Sequence, residues 1–141
     1  HADLVGIQAR VLQAMGMDHA LVVYGRDGLD EISLEGATLV GELKDGQVRE
    51  YEIHPQDYGL STAPTNSFKV ANAEESKAIV LDVLNKVPGP ASDIVCLNAG
   101  AVLYVADVAP SIASGIQMAK QAITSGAALQ KLDQFVAATQ N

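Results

Sequence analysis

The sequence predicts an α/β fold in which a central, largely parallel sheet is flanked by helices and carries one antiparallel hairpin. Three observations lead there. The run Ala20-Leu21-Val22-Val23-Tyr24 is short, continuous and apolar, which reads as a strand covered on both faces. Residues 37–53 alternate apolar and polar side chains around Lys44-Asp45-Gly46-Gln47, and Asp-Gly between such runs signals a hairpin. Several other segments repeat their apolar residues at helical spacing. With 141 residues, 48% apolar and 4% aromatic, the chain has enough Ala, Val, Leu and Ile for one domain with a real core.

In chain order, Leu4, Ile7, Val11, Leu12 and Met15 recur at helical spacing and Gly16 closes the pattern as a C-terminal cap. An opening at His1, directly at a helix, reads as a piece of a longer chain. After the strand at 20–24 and the hairpin, residues 55–64 are a turn-rich connection. Residues 73–85 place Ile79, Val80, Val83 and Leu84 on one helical face, and Pro88-Gly89-Pro90 ends that helix. Ile94-Val95-Cys96-Leu97 reads as a second buried strand spanning 93–97, with Asn98 as the N-cap of a small-residue helix over 99–106. Two further helices are expected at 110–124 and 127–139, separated by Ser125-Gly126. No internal repeat, low-complexity tract or linker divides residues 1–141, which are expected to form a single domain.

Composition narrows the function classes. A formal net charge of −8, with nine basic residues spread thinly, argues against nucleic-acid and anionic-membrane surfaces, both of which need clustered Lys and Arg. No apolar run is long enough to span a bilayer, and the first residues lack the basic and apolar regions of a signal peptide. The single cysteine, Cys96, lies among apolar neighbours, reads as a core thiol and suits a reducing, cytoplasmic compartment. His1, His19 and His54 are far apart without any paired metal motif, so surface or turn positions are expected for them. No phosphate-binding P-loop, dinucleotide fingerprint or nucleophile elbow occurs. The small residues after Asn98 could admit a phosphate to a helix N-terminus; close helix packing explains them as well and is the favoured reading.

The segment Tyr24-Gly25-Arg26-Asp27-Gly28-Leu29-Asp30-Glu31 is the chemically informative one. It follows a strand, where α/β sheets carry their functional loops, and Gly25 and Gly28 permit a sharp turn. Adjacent hard carboxylates at Asp30 and Glu31 suit Mg²⁺, which takes one or two protein ligands and completes its shell with water and phosphate oxygens. An acidic surface turn, with Glu31 opening the next element, is the competing reading. A calcium hand is not indicated, since its alternating ligands and distal Glu are absent.

The string VVYGRDGLDEIS, followed by Thr38-Leu39-Val40-Gly41-Glu42-Leu43, Asp45-Gly46 and Pro55-Gln56-Asp57-Tyr58-Gly59-Leu60, resembles the anthranilate phosphoribosyltransferase family. The likeness continues through Leu97-Asn98-Ala99-Gly100-Ala101-Val102-Leu103-Tyr104-Val105, Ser114-Gly115 and Ser125-Gly126-Ala127-Ala128-Leu129. Tyr24 departs from the family's frequent His, and Glu75-Ser76-Lys77 from its Glu-Asn-Ala triplet. The resemblance implies the C-terminal α/β portion of a nucleoside phosphorylase/phosphoribosyltransferase-type domain, without the helical domain and glycine-rich donor loop of the family's preceding segment. It implies Asp30 and Glu31 as ligands of the Mg²⁺ that accompanies 5-phosphoribosyl 1-diphosphate, anthranilate as acceptor, a place in tryptophan biosynthesis and a homodimeric parent. No catalytic or other cofactor-binding side chain is assigned in this portion, which is expected to be inactive alone. Pyrimidine nucleoside phosphorylases and a nucleic-acid-binding paralogue are the alternatives that share the architecture.

Overall fold

The computed structural model describes residues 1–140. It contains, in order, α1 (Val5–Ala14), β1 (Ala20–Gly25), β2 (Thr38–Lys44), β3 (Gln47–Ile53), α2 (Ala73–Leu84), α3 (Pro90–Val105), α4 (Ile112–Thr124) and α5 (Ala127–Thr139), with short 3-10 turns at Ala2–Leu4, Pro55–Tyr58 and Thr65–Phe68. The α/β class is as expected, and the helices α1, α2, α4 and α5 fall where helical spacing puts them.

Two expectations are corrected. The sheet is antiparallel throughout among the described residues, in the order β1-β2-β3, rather than largely parallel. A parallel pair needs a long crossover, usually a helix; here a loop leads from β1 to β2 and a tight turn from β2 to β3. Four residues of β1 are only half-buried, so its apolar run is not covered on both faces. Residues 93–97 are not a strand either. They lie inside α3, which starts with Pro90 at its first turn and continues for 16 residues. Short apolar runs fit a strand or a buried helix equally, and length decides between them. The buried Cys96, Leu97, Gly100 and Ala101 then fall on one helical face. Asn98 is therefore in mid-helix and caps nothing at its N-terminus.

The hairpin register pairs Lys44 with Gln47 across Asp45-Gly46, both at positive φ (50° and 70°), as a type I′ turn requires. Alternation sorts the side chains of β2. Val40 faces the main core with Ile53, Leu97, Ala101 and Ile116, joined by the half-buried Leu21, Val23 and Tyr51. Gly41 faces α1, and a Cβ there would stand 2.8 Å from the Val5 carbonyl oxygen. The sheet is thus a middle layer between α1 and the α3-α4 pair.

The tightest helix contact is α3 against α4. A Cβ on Gly115 would fall on the carbonyl of Gly100, and one on Gly100 would come within 2.6 Å of the Ile116 nitrogen. The opposing atoms are backbone and cannot rotate away. At α2, Asn72 accepts from the Glu75 amide (2.9 Å) while Glu75 accepts from the Ala71 amide (2.8 Å). The departure at Glu75-Ser76-Lys77 therefore leaves a complete helix cap.

Replacing Gly115 by Ala gains about 1 kcal/mol of helix propensity and is expected still to lose a net ~2 kcal/mol through overpacking. Urea unfolding followed by circular dichroism measures this, and a neutral result would show that α3 and α4 separate at little cost.

Candidate functional site

The loop between β1 and β2 contains four carboxylates within nine residues, Asp27, Asp30, Glu31 and Glu35, and the structure divides them into two kinds. Asp27 Oδ2 accepts from Ser33 Oγ (2.8 Å) and Thr65 Oγ1 (2.5 Å). Glu35 Oε2 accepts from the Thr65 amide at 2.7 Å. Both are thereby committed to closing the loop onto the segment around Thr65. Asp30 and Glu31 are exposed, and neither has a hydrogen-bond or ion-pair partner among the described residues.

The pair sits on a fixed support. Immediately after it, Ile32, Ser33 and Leu34 are buried. The Ser33 amide donates to Thr38 Oγ1 (3.0 Å), and the Ala63 amide donates to the Leu34 carbonyl (3.0 Å). Asn98 reaches from α3 and engages both backbone groups of Ile32: its Oδ1 accepts from the Ile32 amide and its Nδ2 donates to the Ile32 carbonyl, each at 2.9 Å. Before the pair, Arg26 donates its amide to the Ala37 carbonyl (2.9 Å) and pairs its guanidinium with Glu52.

Burial alone would raise the Asp27 carboxyl, but the hydrogen bonds from Thr65, Ser33 and the Leu29 amide outweigh it and hold the group below its ordinary value. A second polar cluster ties the sheet to α3. Glu42 Oε1 accepts from Tyr104 (2.6 Å), Glu42 Oε2 from Tyr51 (3.2 Å), and Lys44 lies 4.3 Å from the centre of the Tyr104 ring. His19 is enclosed there rather than on the surface, with Nδ1 3.1 Å from Asp107 Oδ1 and Nε2 3.7 Å from Glu42 Oε1. Burial pushes the Tyr51 hydroxyl and the Cys96 thiol upward; Cys96 is a core thiol, as its neighbours predict.

Asn98, Thr65 and His19 were not singled out by the sequence as parts of these supports. Asn98 carries a recognisable signal once residues 90–105 are read as a helix, since it is a polar side chain beside an apolar stripe. The other contacts join residues far apart in the chain and leave no local pattern.

Among the described residues no group of three or more His, Cys, Asp or Glu side chains is placed to hold a metal ion. Asp30 and Glu31 therefore form no closed cage. An exposed pair of hard oxygen ligands does fit an ion that keeps most of its shell as water or phosphate, the habit of Mg²⁺. Beside the loop, an open groove of about 410 Å³ is lined by Leu21, Val23, Ile32, Asn98, Ala101 and Val102, among others.

Residues 1–129 match the family described as glycosyl transferase family, a/b domain. The chain belongs to this glycosyl transferase family. It is 82% identical over 141 residues to the anthranilate phosphoribosyltransferase of Polynucleobacter asymbioticus, covering all of this chain and 41% of that protein. Against the anthranilate phosphoribosyltransferase of Acidovorax sp. strain JS42 the identity is 65%, covering 99% of this chain and 41% of the relative. The chain thus spans about two fifths of the length of the curated relatives it matches. Among solved structures, the anthranilate phosphoribosyltransferase of Thermus thermophilus superposes with a TM-score of 0.86 at 34% identity, over 96% of this chain and 40% of that one. The Saccharomyces cerevisiae enzyme in complex with PRPP and Mg shares the fold with a TM-score of 0.81 at 22% identity, over 96% of this chain and 39% of that one.

The depressed Asp27 carboxyl contributes stability to the loop above its unfolded-state pKa, and that contribution is lost as pH falls through the lower folded value. Replacing Thr65 by Val removes one donor, so Asp27 is expected to titrate at higher pH and the loop to loosen earlier on acidification. Carbon-13 titration of the Asp27 carboxyl together with amide exchange over residues 28–35 reads both; an unmoved midpoint would show that Thr65 does not hold the carboxylate.

Proposed function

We propose that this chain is the C-terminal α/β portion of an anthranilate phosphoribosyltransferase, in which Asp30 and Glu31 are ligands of the Mg²⁺ that accompanies 5-phosphoribosyl 1-diphosphate. The observation that carries the reading is the sorting of the loop carboxylates: Asp27 and Glu35 are engaged in hydrogen bonds, and the adjacent Asp30-Glu31 pair is left free on a pinned loop. The names of the relatives and the PRPP and Mg of the yeast complex support it.

In the proposed reaction the amine of anthranilate displaces pyrophosphate from ribose C1. Positive charge develops at C1 and negative charge on the departing pyrophosphate. Bound Mg²⁺ would supply Lewis-acid neutralisation of that leaving group. Asp30 and Glu31 would hold and orient the ion from one side, leaving the remaining positions open to water and phosphate oxygens. No side chain of this portion needs to attack, so its contribution is positional. The remaining length of the parent protein would supply the donor loop and the anthranilate pocket, and this chain alone would not turn over. The same reading carries with it a cytoplasmic setting and a homodimeric parent. No helix among the described residues is long and apolar enough to cross a membrane.

Loss of anthranilate fluorescence on addition of 5-phosphoribosyl 1-diphosphate and Mg²⁺ tests the proposal, using this chain combined with the rest of its parent. Consumption is expected only with both portions present, and an Asp30→Asn, Glu31→Gln double variant is expected to lower it by about a hundredfold or more, the scale of losing transition-state charge stabilisation. Turnover by this chain alone would contradict the division of labour. No consumption by folded, associated portions would point instead to a phosphorylase or a non-catalytic relative.

A further inference from the structure

We infer that Asn98 is a positioning residue for the metal pair, fixing the peptide that carries Glu31 so that the two carboxylates are presented together. The inference rests on the reading of Asp30 and Glu31 as metal ligands. The Ile32 amide belongs to the peptide bond that joins Glu31 to Ile32. Holding the Ile32 N–H at 2.9 Å therefore fixes the plane in which Glu31 ends, and holding the Ile32 C=O at 2.9 Å fixes the peptide plane that follows. Asp27 constrains the chain on the other side of the pair through Ser33 and Thr65.

Asn98 is suited to this by chemistry as well as by place. A carboxamide offers one acceptor and two donors in a single plane, so it can satisfy both backbone groups of one residue while its second donor reaches the Ile94 carbonyl at 3.1 Å. An aspartate in its place would set an oxygen against the Ile32 carbonyl, and a leucine would fill the space and engage neither group. Helix interiors disfavour Asn relative to Leu, and the side chain here is matched by partners across the interface. On the same helix, Tyr104 holds Glu42 of β2, and Gly100 marks the point where α3 meets α4. The loop is thereby referred to the close approach of α3 to α4.

Partners that orient metal ligands typically change affinity about 10–100-fold when removed. Mn²⁺ titrated into this chain and followed by electron paramagnetic resonance is expected to bind native protein at least about tenfold more tightly than Asn98→Leu or Asn98→Asp. A Val83→Ala variant, whose change lies in the core on α2 and touches neither Asn98's hydrogen bonds nor the acidic pair, is expected to lose stability without losing Mn²⁺ affinity. If Asp30→Asn, Glu31→Gln binds Mn²⁺ as well as native chain, the ligand reading falls and this inference with it. If that pair abolishes binding while folded Asn98→Leu binds like native, the ligand reading stands and the inference is overturned. Should the Asn98 variants fail to fold, the native chain decides. Saturating Mg²⁺ is expected to shift the Asn98 side-chain amide resonances, and resonances that do not move overturn the inference.

Discussion

The approach of α3 to α4 at Gly100 and Gly115 is the contact from which the rest of the arrangement hangs. Backbone meets backbone there, with the Ile116 side chain packed alongside Gly100 and little room for a change in spacing. That fixes α3 against α4, and two residues of α3 transmit the position outward. Asn98 grips the loop after the acidic pair, and Tyr104 donates to Glu42 in the middle strand. Hydrogen bonds weaken steeply with small changes in distance and angle. A displaced α3 would therefore release the loop and the strand together, so the packing of small residues in the core and the order of a surface loop form one mechanical unit.

The same order sorts the charges of the loop. The chain carries a net charge of −8, and four acids crowd the loop after β1. Asp27 and Glu35 are compensated by hydroxyl and amide donors, so their charges stabilise the closed loop. Asp30 and Glu31 are adjacent and uncompensated, leaving a local concentration of negative charge that a small divalent cation would relieve. An acidic surface turn would show the same residues but has no need of buried anchors on either side. The burial of Ile32, Ser33 and Leu34, together with the Asn98 hydrogen bond to Ile32, supports the proposed metal role over a merely solvated turn.

Much of this was legible in order along the chain because it depends on neighbours in sequence. Helical spacing located α1, α2, α4 and α5, and Asp45-Gly46 located the hairpin, since a turn is set by the φ angles of two adjacent residues. The DE pair was visible for the same reason. Strand direction was not, because it depends on how the chain returns rather than on what a strand contains, and a continuous apolar run says nothing of its partner. The segment at 94–97 failed for a different reason: four apolar residues satisfy either period, and only the full stretch from Pro90 shows a helix. That misreading hid Asn98, whose role depends on Ile32, 66 residues away. His19 failed similarly, because the carboxylates that enclose it come from β2 and from the turn after α3.

The proposed division of labour follows from coordination chemistry. A resident structural ion needs a complete set of protein ligands, whereas an ion that arrives with a diphosphate brings part of its shell with it. Two carboxylates are too few for the first task and sufficient for the second, provided that they do not wander. Precision must then come from the support rather than from the number of ligands. Such a site is tightly anchored beneath and open above, which is the arrangement of the Asp30-Glu31 loop. Openness also leaves room for the remaining length of the parent to bring the donor and acceptor to the exposed side of the pair. The rigid contacts that make this portion a folded unit are thus the same ones that would let it act only in combination.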